Sequence, residues 1–145
     1  MIKIIVGTET GTAEYVADEL VTLLEQNQIN SEIELSPDLE TITQSDYWII
    51  CSSTQGAGEV PSNLIKFKTW LDQASPDLTN IKALVIGLGD SSYDTYCLAA
   101  KYFSNRLKQL GATLILPTIE VDAMDEDMPE DIVISKLTTE ISIFK

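Results

Sequence analysis

Six of the seven glycines in this chain fall in pairs, and each pair follows a short apolar run. Gly7 and Gly11 follow Ile2–Val6, Gly56 and Gly58 follow Tyr47–Cys51, and Gly87 and Gly89 follow Ala83–Ile86. Such runs are too short for core helices and apolar on both faces, so they read as strands buried on both sides. Between them the period becomes helical. Ala13, Val16, Ala17, Leu20 and Leu24 share a face after Thr12, and Leu64, Phe67 and Leu71 form a stripe after Pro61. Ala99, Phe103, Leu107 and Leu110 form another, with Gly111 placed as its C-cap, and Ile134, Leu137, Ile141 and Phe144 form the last. Ser31–Leu35 reads as a weaker strand, and Thr113–Leu116 as a fifth, interrupted by Pro117 as suits a sheet edge. The alternation predicts an α/β three-layer sandwich: a five-stranded parallel sheet in the order 2-1-3-4-5, covered by helices on both faces. With no repeat, linker or low-complexity tract, residues 1–145 are expected to form one domain.

In that order strands 1, 3 and 4 are neighbours, so all three glycine pairs meet at the carboxyl edge of the sheet, beside the switch point where open α/β sheets bind ligands. The first loop, Thr8-Glu9-Thr10-Gly11-Thr12-Ala13, joins a strand to a helix start, where free N–H groups and the positive dipole end favour an anion. It carries no lysine and no G-x-G-x-x-G, which excludes a Walker loop and a dinucleotide fingerprint. Hydroxyls and amides alone suit a single phosphomonoester; the plainer alternative is that Thr10 or Thr12 caps the helix. The second loop, residues 52–61, is long and polar and either faces a heterocycle or is an ordinary surface loop. The third, Gly87-Leu88-Gly89-Asp90-Ser91-Ser92-Tyr93, sets an aromatic among glycines and polar residues. Tyr93 is there either as a partly buried anchor or as a flat face for stacking.

Composition narrows the chemistry. Twenty-three Asp and Glu face nine Lys and Arg, a formal charge of −14 that disfavours nucleic acid and anionic lipid surfaces and favours basic protein partners. The sequence has no histidine, which removes His-based acid–base chemistry and His-ligated metals. Cys51 and Cys97 are too few for a disulfide framework or a zinc site. Cys51 reads as a small buried hydrophobe and Cys97 as an inert thiol beside the site. Nothing at the start resembles a secretory signal, no apolar run has transmembrane length, and a cytoplasmic protein is expected.

Together the three loops resemble the flavodoxin family, in its short-chain, single-domain form. T-x-T-G-T-A at Thr8–Ala13 is similar to the family's phosphate loop, S-S-T-Q-G-A-G-E-V-P at Ser52–Pro61 to the loop reaching the flavin N5 edge, and G-L-G-D-S-S-Y-D-x-x-C at Gly87–Cys97 to the loop carrying a stacking tyrosine. Val121-Asp122-Ala123 is similar to a short segment after strand 5 in the flavodoxin-like domains of diflavin reductases. The resemblance implies FMN as cofactor. Its phosphate would lie on Thr8, Glu9, Thr10, Gly11, Thr12 and Ala13, with Glu9 contributing its N–H rather than its carboxylate. Ser53, Thr54, Gln55, Gly56, Ala57 and Gly58 would flank the ring, the Gly56 carbonyl accepting from N5–H. The backbone of Gly89, with Asp90 or Cys97 nearby, would meet the pyrimidine edge, Gly87, Leu88, Tyr96 and Asp122 would be further cofactor-binding residues, and Tyr93 would stack on the ring. Many members carry an aromatic residue where this chain has Gln55, which implies weaker stacking and one more open flavin face.

The resemblance implies an electron carrier with no catalytic set of its own, a monomer that would take electrons from an NAD(P)H-dependent reductase and pass them to a redox enzyme. Glu9, Glu14, Glu59, Asp90, Asp94, Asp122 and Asp125–Asp127 would form an acidic rim that steers basic partners and lowers the flavin potential, or serve solvation alone. The alternatives are a flavin reductase acting directly on NAD(P)H and a cofactor-free interaction module. A phospho-accepting receiver domain shares the strand order but needs acidic residues where this chain has Gly7-Thr8 and Cys51-Ser52.

Overall fold

The computed structural model describes residues 1–54 and 58–145. The elements run β1 (Ile2–Gly7), α1 (Thr12–Gln26), β2 (Ser31–Glu34), β3 (Tyr47–Ser53), α2 (Ile65–Gln73), β4 (Lys82–Gly89), α3 (Leu98–Gln109), β5 (Thr113–Leu114), β6 (Ile119–Asp122) and α4 (Pro129–Glu140). All strand pairings are parallel, in the order β2-β1-β3-β4-β5, with β6 also on β4. This is the expected arrangement, and the strand side chains divide by parity to build it. Ile4, Val6, Ile49, Cys51, Leu84 and Ile86 pack against α1 and α4. Ile5, Trp48, Ile50, Ala83 and Val85 pack against α2 and α3, where Phe67 meets Trp48 edge-on with ring centroids 5.7 Å apart.

Two elements differ from the sequence reading. The fifth strand stops at Leu114 rather than Leu116. It resumes as β6, so Val121 and Asp122, expected after strand 5, lie within the sheet. The cause is Pro117, which has no N–H to give to the ladder. Residues 115–118 span the length of two residues on β4, because Ala83 pairs with Leu114 and Ile86 with Ile119. An insertion of two preserves parity, so Ile119 and Val121 still face the core. The last apolar stripe is also broken. α4 ends at Glu140, Phe144 is buried from a following 3-10 turn, and the helix buries Val133 beside Leu137 while Ile134 is half-buried.

Candidate functional site

A cleft of about 260 Å³ opens at the carboxyl ends of β1, β3, β4 and β6. Thr10 and Thr12 form one wall, Ser53 and Thr54 the floor, and the 88–97 loop with Val121 and Ala123 the other wall. The structure therefore brings all three loops together. Gln55, Gly56 and Ala57 lie outside the described residues.

The first wall is a helix start without a cap. Gly11 is the N-cap of α1 at φ 95°, with no side-chain hydrogen bond to the first turn. Neither threonine serves as a cap, which removes the plainer reading of the loop. The first-turn amides, at Thr12, Ala13 and Glu14, have no intrahelical acceptor. The Thr10 and Thr12 hydroxyls stand beside them, exposed, while the Ala13 side chain is buried beneath. Thr8 stays back from the cleft: its N–H donates to Asn63 Oδ1 at 3.0 Å, and its Oγ1 accepts from the Gly11 N–H at 2.9 Å. The Glu9 carboxylate is turned away, Oε1 accepting the Ser62 N–H at 2.8 Å, and that bond holds its carboxyl below the ordinary range. The Glu9 carboxylate is thus directed at Ser62 rather than at the helix start.

The opposite wall presents Tyr93, 66% exposed at the lip. Its loop is shaped by Asp90, whose Oδ1 accepts from the Ser92 N–H at 2.9 Å and whose carbonyl accepts from the Tyr93 N–H at 3.1 Å. Leu88, Gly89 and Tyr96 continue the lining. Cys97 closes the loop at φ 52°, fully buried as the N-cap of α3. Burial, then the Glu120 charge, push its thiol up to about 11, which keeps it protonated and unreactive at neutral pH. Burial likewise takes Cys51 up to about 12. Gly87 does not line the cleft; it lies beneath α3, where a Cβ would meet Ala100 Cβ at 2.5 Å. Gly58 sits at φ 101° under Leu98. Thr54 ties the second loop to α3, its Oγ1 accepting the Ala99 N–H at 3.2 Å.

Asp122 braces the third loop. Its Oδ1 accepts the N–H of Ser91 and that of Met124, each at 3.0 Å. Hydrogen bonding from Ser91, then from the Met124 amide, lowers its pKa. A carboxyl lowered in the folded state contributes stability above its unfolded value of about 3.9 and loses it as pH falls through the folded value. Asp122→Asn is therefore expected to be less stable than the parent at pH 7 and indistinguishable from it once both have passed below that range. Urea melts at both pH values would test this; a deficit independent of pH would assign it to packing instead.

Asn63 was not legible in the sequence, since its partners lie up to 57 positions away. Ala123, named in the sequence only as part of the segment after strand 5, donates its N–H to the Gly89 carbonyl at 2.7 Å, extending the β4–β6 ladder along the cleft wall. The acidic rim is unneutralised: the ion pairs among the described residues join Lys3 to Glu32 and Glu34, and Asp72 to Lys68 and Arg106, all away from the cleft.

A doubly wound parallel sheet with a phosphate-type helix start and an exposed aromatic across its switch-point cleft defines a flavodoxin-like protein. The flavodoxin profile matches residues 4–135, and the chain belongs to the flavodoxin family. It is 38% identical over 130 residues to Protein MioC of Escherichia coli K12, covering 90% of this chain and 88% of that one. It is 33% identical over 134 residues to the sulfite reductase (NADPH) flavoprotein alpha-component of Bacillus subtilis, covering 88% of this chain but 22% of that one. A cysteine-to-alanine mutant of flavodoxin from Pseudomonas aeruginosa superposes with a TM-score of 0.87 at 27% identity, covering 99% of this chain and 97% of that one. The chain is accordingly an FMN electron-transfer domain of the flavodoxin type. Its residues fit that cofactor, because uncapped amides with two hydroxyls match a phosphate and the cleft between them and Tyr93 leaves room for a flat ring.

Proposed function

We propose that residues 1–145 form a single-domain, monomeric FMN electron carrier of the cytoplasm, which is not itself an enzyme. The observation that carries the reading is the uncapped start of α1 facing an exposed tyrosine across one cleft. When bound, FMN supplies one- and two-electron transfer, chemistry that needs no catalytic side chain from the chain. In this reading the Thr10 and Thr12 hydroxyls and the amides of Glu9, Thr10, Thr12 and Ala13 hold the phosphate, while the Gly11 N–H stays on Thr8 Oγ1. Thr8 acts from behind them. Tyr93 covers one ring face. Ser53, Thr54 and Gly58 border the ring, and Leu88, Gly89, Asp90, Tyr96 and Cys97 border its pyrimidine side. Gly87 and Asp122 support that wall from below and behind. The expected roles of Gln55, Gly56 and Ala57 fall outside the described residues.

The electron donor in this proposal is an NAD(P)H-dependent flavodoxin reductase and the acceptor a redox enzyme, each docking a basic surface on the acidic rim. No helix among the described residues is long and apolar enough to cross a membrane. Electron delivery from a basic reductase should slow steadily as ionic strength rises, because rim charges are exposed and screened within roughly 10 Å at 0.1 M salt. A flat salt response discards the rim as a docking surface.

The deciding experiment is an absorption spectrum of the protein titrated with FMN, then reduced stepwise with dithionite. One equivalent of bound flavin, inert to NADPH until a reductase is added, is the expected result. Steady NADPH oxidation by the protein alone would instead make it a flavin reductase, and a colourless protein after titration an interaction module.

A further inference from the structure

β1 pairs with β2 only as far as Ile5 opposite Glu34, but with β3 as far as Gly7 opposite Ser52. Beyond Ile5, one edge of β1 therefore has no strand against it, at the point where the phosphate-side loop begins. In a parallel ladder, a residue on the neighbouring strand donates its N–H to one carbonyl and accepts from the N–H two residues further on. The Val6 carbonyl and the Thr8 N–H stand in that relation. Asn63 serves both: Nδ2 donates to the Val6 carbonyl at 2.6 Å, and Oδ1 accepts the Thr8 N–H at 3.0 Å. Its other Nδ2 proton goes to the carbonyl of Leu35, just past β2, at 2.8 Å. The carboxamide takes the place of the peptide group that a longer β2 would have set opposite Gly7.

Gly7 makes this approach feasible. A Cβ there would lie 2.5 Å from Ser52 Oγ, 2.8 Å from Leu64 Cδ1 and 3.2 Å from Pro61 Cδ, so a side chain would crowd both the end of β3 and the 61–64 segment. The adjacent Ser62 N–H binds Glu9 Oε1 at 2.8 Å. The segment that closes the second loop thus grips the first loop at two successive residues.

We propose that Asn63 is a positioning residue for the flavin phosphate: as a surrogate strand residue it extends the ladder of β1 through Thr8 and fixes the direction in which residues 8–12 leave the sheet. The inference rests on the reading of the α1 start as the phosphate site. The test measures binding of FMN and of riboflavin to the flavin-free protein by quenching of flavin fluorescence. The parent should prefer FMN. In Asn63→Ala the dissociation constant for FMN should rise roughly tenfold while that for riboflavin moves less than about twofold, the size of effect expected for lost uncharged hydrogen bonds. Asn63→Asp should lose as much FMN affinity as alanine, because its carboxylate can accept from Thr8 but cannot donate to Val6 and Leu35. Equal weakening of both ligands would make the residue merely structural and overturn the proposal, as would unchanged FMN affinity. A parent that does not distinguish FMN from riboflavin would defeat the phosphate reading itself. Should the variants not fold, amide exchange in the parent decides: slow exchange at Thr8 in the flavin-free protein supports the surrogate ladder, and exchange at the rate of an exposed loop overturns it.

Discussion

Replacing Tyr93 with alanine should weaken FMN binding by about 1–3 kcal/mol, roughly 5- to 150-fold in dissociation constant, the range for losing an aromatic stacking platform. The ring is 66% exposed, so its removal leaves no cavity and should not destabilise the flavin-free protein. Its loop is shaped without it, by the Asp90 carboxylate on Ser92 and the Asp122 carboxylate on Ser91. The wall of the cleft should therefore persist while its flat face is lost. Neither tryptophan can substitute. Trp48 is fully buried with its indole N–H on the Ile42 carbonyl, and Trp70 lies on α2 against Phe67. Tyr93→Phe should restore binding to within a few-fold, because the ring rather than the hydroxyl provides the contact. A titration in which Tyr93→Ala binds as tightly as the parent would take Tyr93 out of the site.

The same residues show how far sequence alone reaches. Strands 1, 3 and 4 were legible because both faces are buried, leaving short apolar runs with no competing helical period. The convergence of their loops then followed from topology alone. The helix start at Thr12 was legible too, but whether a threonine capped it was a matter of geometry. The glycine pairs pointed to the right edge of the sheet, yet for mixed reasons. Gly11 and Gly58 are needed for positive φ, whereas Gly7 and Gly87 are needed because a neighbouring segment packs where a Cβ would stand. Both needs look identical in a sequence. The split of the last strand was half-visible in Pro117, since proline forbids a ladder bond but does not say where pairing resumes. Asn63 was not visible at all: its role depends on β2 ending early, on Gly7 being small and on contacts across 55 positions. Asp122 was placed beside the ligand by resemblance, and its carboxylate serves the loop behind the cleft.

The second large effect is expected at Gly87, where alanine should cost about 1–3 kcal/mol of stability, or a drop of roughly 3–9 °C in melting temperature, as for overpacking of a close-packed core. Gly87 lies in β4, paired with Ser52 of β3 on one side and Glu120 of β6 on the other, so the strand cannot yield. The added methyl would stand 2.5 Å from Ala100 Cβ and 3.3 Å from Cys97 Sγ. Ala100 is itself a fully buried methyl on α3, with no flexible end to move aside. The helix must shift, and with it Cys97, the Tyr96 wall and the Ala99 N–H on Thr54, so FMN affinity should fall together with stability. Gly11→Ala offers the contrast: its Cβ would meet nothing within 4 Å, so only the strain of φ 95° remains, about 1–2 kcal/mol and local to the loop. The steric account makes a sharper demand. Ala100→Gly in the Gly87→Ala background moves one methyl from helix to strand and relieves the overlap. The double variant should recover the steric part of the loss and keep only the deficit of about 1 kcal/mol for a glycine inside a helix. Urea melts of the four proteins form a double-mutant cycle with a favourable coupling between the two sites. Additive losses would show that the tight contact beneath α3 is not what requires glycine at this position.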